Sequence, residues 1–117
     1  MTTLRRRADF LRAARARRQA MPGLILQARR RARDEKAPGK APGMRVGFTC
    51  SRKLGNAVTR NRARRRLRAV AREVLPRFGR PGWDYVLVGR RTATVTRPFG
   101  ALMEDLERAL KRIHRDA

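Results

Sequence analysis

A chain of 117 residues with 32 Lys and Arg against nine Asp and Glu has room for one domain with a modest core and is too short for two of ordinary size. Its net charge of +23 makes a compact fold repel itself, a strain that a polyanion relieves, so nucleic acid is the first partner class. One Cys and one His exclude a disulfide framework and a Cys-rich metal site, and no apolar run approaches the roughly 20 residues that span a bilayer.

The first segment, MTTLRRRADFLRAARARR, is basic but lacks the continuous apolar stretch of a signal peptide, so the cytoplasm is the expected compartment. Within it, Ala8 to Arg17 predicts a short helix with Phe10, Leu11 and Ala14 on one side. Pro22-Gly23 closes that region, and Leu24 to Ala28 predicts a strand. A further short strand near 18–21 is compatible with the pattern. Pro, Gly and mixed charges over 32–43 predict a flexible loop.

Met44 to Ser51 predicts a second strand, with Val46, Phe48 and Cys50 on one face and Arg45, Gly47 and Thr49 on the other. Cys50 then reads as a small buried residue, not a reactive thiol. After a turn at Leu54-Gly55-Asn56 comes the basic segment, which Pro76 is expected to stop. Trp83 to Gly89 is nearly all apolar, as in the interior of a sheet, and ends in Arg90-Arg91. Thr96 as a cap and Pro98 in the first turn predict a last helix with the stripe Phe99, Leu102, Met103, Leu106, Ala109, Leu110 and Ile113. His114 reads as a surface residue suited to that helix's negative end. The order α-β-β-α-β-α gives an α/β (α+β) two-layer sandwich, with helices against one mixed sheet in a single domain, 1–117.

Between Arg52 and Arg72 stand nine cations and no carboxylate. Projected at about 100° per residue, Ala63, Leu67, Val70, Ala71 and Val74 share about 100° of arc, while Asn61, Arg64, Arg65, Arg68 and Arg72 fill the remainder. A disordered tail has no reason to keep such a stripe, so this is a folded helix with a cationic outer face. Solvated helices normally mix charge signs; one that carries arginines without acids is built for a polyanion.

The order of residues in this segment is more specific than its charge. Arg52-Lys53-Leu54-Gly55-Asn56-Ala57-Val58-Thr59-Arg60-Asn61-Arg62-Ala63-Arg64-Arg65-Arg66-Leu67-Arg68 resembles the signature of the bacterial ribonuclease P protein subunit, in which an Arg-Asn-Arg core follows a Lys-x-Gly-x-Ala-Val lead. Asp9-Phe10, Val46-Gly47, Asp84-Tyr85-Val86 and Arg90-Arg91 extend the resemblance over most of the chain. It implies a cofactor for removal of the 5′ leader from precursor tRNA, with catalysis and most of the Mg2+ belonging to an RNA subunit and no catalytic residue or metal site on the protein.

The resemblance further implies that Lys53, Gly55, Asn56, Arg60, Asn61, Arg62, Arg64, Arg65 and Arg68 dock on the catalytic RNA. Phe10, Arg52, Lys53, Arg90 and Arg91 then line a separate cleft for the leader. Two family aromatics are replaced by Ala14 and Gln27, which shifts leader binding toward charge and Phe10. A left-handed strand–helix–strand crossover around the basic helix, against the usual hand, is implied too. The expected protein is monomeric alone and has no membrane partner. The alternatives are a structural ribosomal RNA-binding protein, against which the motif argues, and a DNA-compacting protein, for which no dimer seam or minor-groove arm is visible.

Overall fold

The structure, a computed structural model, describes residues 1–32 and 43–115; all but the two ends of the loop expected over 32–43 lie outside the described residues. The elements are β1 (Thr2–Thr3), α1 (Arg7–Ala14), β2 (Arg17–Ala20), β3 (Leu24–Arg30), β4 (Arg45–Thr49), a 3-10 turn (Arg52–Leu54), α2 (Ala57–Phe78), β5 (Trp83–Gly89), α3 (Ala93–Thr96) and α4 (Phe99–Arg115). The expected α+β class and the order of its main elements stand.

Four local expectations are corrected. The first helix ends at Ala14, not Arg17, because Arg17–Ala20 pairs antiparallel with β3, Arg17 opposite Ala28 and Ala20 opposite Ile25. Pro76 does not stop α2, which runs on to Phe78: so near the helix end a missing N–H removes one bond, and Gly79 N–H still reaches the Leu75 carbonyl at 2.8 Å. Thr96 is not the cap of the last helix but the end of α3, its hydroxyl donating to the Thr92 carbonyl at 2.9 Å. His114 is buried, not on the surface, because Tyr85 offers its ring a polar partner.

The five-stranded sheet has the order β1-β4-β5-β3-β2. β5 lies at its centre, parallel to β4 and antiparallel to β3, which explains its almost continuous apolar sequence. One face of the sheet, with Leu24, Leu26, Val46, Tyr85 and Leu87, packs on α2 and α4 through Leu67, Val70, Leu102, Leu106 and Leu110. Each fully buried Leu or Val among them contributes roughly 1.5–3 kcal/mol. On the other face, α1 lays Ala13 and Phe10 over Leu4, Val86 and Val88.

That second face also holds an ionic cluster. Asp84, fully buried, accepts from Arg45 Nε and Nη2 at 2.7 and 2.6 Å and from Arg31 Nη1 at 2.6 Å, with Arg29 at 3.6 Å. Asp9 joins it through Arg45 at 3.5 Å. One carboxylate thereby ties β3, β4 and β5 together at one end of the sheet, and the opposite end is left for the turns that carry the candidate site.

Candidate nucleic-acid interface

The basic helix begins with two devices that explain its lead sequence. Gly55 adopts φ 137° and ψ −157°, a region essentially closed to other residues, and so turns the chain from the 3-10 turn into α2. Asn56 is the N-cap, its Oδ1 accepting the Thr59 N–H at 2.9 Å, an interaction worth about 1 kcal/mol. Its amide nitrogen is the part left to face outward.

Along α2 the expected stripe is buried: Ala63, Leu67, Val70, Ala71 and Val74, joined by Leu75. Lys53, Gly55, Asn56, Asn61, Arg62, Arg65 and Arg68 are exposed, and Arg60 and Arg64 are half-buried. Asn61, Arg64, Arg65 and Arg68 surround an open concavity of about 540 Å³ with Val58 at its rim. None of the ion pairs among the described residues uses a cation of α2. No carboxylate in those ion pairs neutralises this charge.

Not every arginine of the helix is available. Arg66 donates through Nε to the Thr94 carbonyl at 2.9 Å and through Nη2 to the Arg97 carbonyl, so it closes the C-terminal end of α3. Arg68 stacks over Phe48, 5.8 Å from the ring centroid, which holds its guanidinium at the surface. Arg60 lies on the inner flank, and its Nε is buried with no hydrogen-bond partner among the described residues. Arg64 and Arg68 also sit near Cys50, where they only partly offset the burial that raises its thiol pKa.

The second group of site residues is assembled by topology. β4 and β5 are parallel, so the segments that follow them emerge at one end of the sheet: Arg52 and Lys53 after β4, Arg90 and Arg91 after β5. Leu54 packs on Gly89, where an added Cβ would come within 2.6 Å of Leu54 Cδ2. Arg90 is partly engaged, its Nη1 donating to the Met21 carbonyl at 2.7 Å. Beyond Arg91, Thr92 holds φ 66° and ψ −56°, a strained γ-turn closed by Ala93 N–H to Arg91 O at 2.7 Å.

Phe10 lies on the adjoining sheet face. Its ring covers Gly47 so closely that a Cβ there would stand 2.6 Å from Cε1 and Cζ. Half-buried, it packs on the sheet and keeps an open edge. Ile25, Gln27, Thr49 and Val88, all half-buried, continue the same face. The resemblance marks Gln27 only as a replaced aromatic, and Thr49 is expected on the Gly47 face; the alternation in β3, β4 and β5 adds Ile25 and Val88 to the same surface.

Fold and surface together define a class: a small α+β domain whose one long helix presents an unneutralised cationic face beside an open sheet surface. A family model described as Ribonuclease P matches residues 1–114. The "Ribonuclease P protein component" of Ruegeria pomeroyi is 59% identical over 114 residues, covering 97% of this chain and 87% of that one. Its namesake in Paramagnetospirillum magneticum is 50% identical over 116 residues, covering 94% and 80%. The chain belongs to the ribonuclease P protein family. The fold is shared with the RNase P proteins of Staphylococcus aureus (TM-score 0.71, 22% identity, 97% of this chain and 95% of that one) and Thermotoga maritima (TM-score 0.72, 24% identity, 96% and 97%).

Proposed function

We propose that this chain is the protein subunit of ribonuclease P, acting with a catalytic RNA to remove the 5′ leader from precursor tRNA. The observation that carries the reading is the outer face of α2, where Asn61, Arg62, Arg64, Arg65 and Arg68 stand free of carboxylates in a chain of this family. Such a face neutralises RNA phosphates and gains from the counterions it releases. The capped N-terminus of α2 and the Lys53–Asn56 turn extend it. Single-stranded leader is held by the second surface, where Arg52, Lys53, Arg90 and Arg91 track phosphates and the open edge of Phe10 meets a base.

No protein side chain is assigned to the chemistry. Among the described residues no three His, Cys, Asp or Glu side chains stand together as a metal-binding group. Magnesium is then held mainly by the RNA. The protein is a monomer until it assembles, and it works in the cytoplasm.

Reconstitution tests the proposal. The purified chain alone should leave precursor tRNA intact, and with the ribonuclease P RNA of the same organism it should restore leader removal at near-physiological magnesium. Cleavage by the chain alone, or an RNA activity indifferent to it, overturns the reading. Cosedimentation with ribosomes in high salt would point instead to a ribosomal RNA-binding protein.

A further inference from the structure

We infer that Phe99, with the guanidinium groups of Arg62 and Arg65, forms a stacking niche for one unpaired nucleobase of the RNA partner. The cationic surface of α2 would thereby extend onto the start of α4. The inference rests on the RNA-binding reading above and gives it a further contact.

Helical periodicity assigns Phe99 to the buried stripe of α4, yet the residue is 37% exposed and is the one exposed aromatic among the described residues. As the first residue of α4 it projects past the core, into an open concavity of about 300 Å³ lined by Arg62, Arg65, Arg66, Ala69 and Phe99. That volume is at the lower end for a small-ligand pocket. Ala69 offers a small side chain, and Arg66 is a fixed wall because its guanidinium is held on the Thr94 and Arg97 carbonyls. Arg62 and Arg65 remain to meet a phosphate or stack on a base. Next to the ring, Gly100 has no atom within 4 Å of where a Cβ would stand, so the approach is open.

A ring left facing water beside cations, in a concavity whose lining holds no carboxylate, suits the π-face of a base. Base–aromatic stacking and arginine contacts reinforce each other in such a setting. Paired bases hide their faces in the helix, so the ligand class is an unpaired nucleotide in a loop, bulge or strand end.

Two measurements test this. In Phe99→Trp the added indole is exposed whereas Trp83 is buried, so its fluorescence should be quenched by single-stranded oligoadenylate and not by a fully paired RNA duplex of equal length. Phe99→Leu and Phe99→Ala, checked for an unchanged melting midpoint, should each bind the cognate ribonuclease P RNA roughly 5- to 150-fold more weakly. The salt dependence should be unaltered, because no cation is removed. Wild-type affinity in Phe99→Leu, or no quenching in Phe99→Trp, overturns the niche even if assembly with the RNA is intact. Quenching by oligoadenylate without assembly of the wild-type chain would keep the niche and overturn the named partner.

Discussion

His114 stands with Nε2 2.6 Å from the Tyr85 hydroxyl, its ring edge-on to Trp83 at 4.5 Å between centroids. Burial, with Arg80 and Arg17 nearby, lowers its pKa from 6.5 to about 4. Burial likewise pushes Tyr85 up to about 12, so its hydroxyl keeps its proton and shares a hydrogen bond with a neutral imidazole. Below pH 6.5 the unfolded chain takes up a proton that the folded chain refuses until about pH 4. Stability from this residue is therefore full above pH 6.5 and falls as pH drops toward 4, by as much as about 1.4 kcal/mol per pH unit. Denaturant titrations between pH 7.5 and 4.5 should show this slope, and His114→Gln should lack it while keeping the acid loss due to carboxylates. Asp84 is the more critical buried charge. Asp84→Asn removes the carboxylate shared by Arg29, Arg31 and Arg45 and should cost about 3–5 kcal/mol in urea unfolding; a loss below 1 kcal/mol would show that the cluster is not structural.

The arginines of α2 differ by direction rather than by type. Arg62 and Arg65 point outward without an ion pair, whereas Arg66 is bonded to two backbone carbonyls. Reversing Arg62 and Arg65 to Glu should weaken assembly with the RNA and flatten the slope of log K against log salt by about 2 or more. Arg66→Ala should do the opposite, lowering the melting midpoint while leaving the salt slope nearly unchanged, since its guanidinium is not free for phosphate. Equal slopes for the two variants would refute this division of the helix. The N-terminal half of α2 is the cationic part. Further along, Glu73 meets Glu104 and Glu107 of α4 around Val74, Phe78 and Met103.

Across the whole molecule, the two surfaces proposed to meet RNA are separable because mainly different elements carry them. The outer face of α2 lies on the layer that packs against Tyr85 and Leu87, while Phe10 lies over Gly47 on the reverse face of the sheet. Replacing Phe10 with Ala should therefore spare assembly with the catalytic RNA, provided the melting transition is kept. It should weaken binding of leader-bearing tRNA relative to mature tRNA, with stacking loss setting a scale of about 1–3 kcal/mol. Equal losses for both tRNAs, measured by competition binding, would remove Phe10 from the leader site. The parallel pairing of β4 with β5 is what sets Lys53 within both proposed surfaces, at the start of one and the edge of the other.

Periodicity alone determined that α2 is a folded helix with a cationic face, because the apolar spacing of Ala63, Leu67, Val70 and Val74 is a local property of the chain. The continuous apolar run of Trp83–Gly89 likewise identified a central strand, and the Lys53–Arg62 order identified the family. Tertiary structure alone decided where single side chains end up. Asp84 attracts Arg29 of β3, Arg31 just beyond it and Arg45 of β4, and Arg66 is taken from the charged face by the end of α3. His114 is drawn inside by Tyr85, and Phe99 is left in water by the end of its helix. Each of these depends on a partner distant in sequence, and a pattern read along the chain holds no distance between such residues. Even the meeting of Arg52-Lys53 with Arg90-Arg91 follows from two strands running the same way, a choice made by the sheet as a whole.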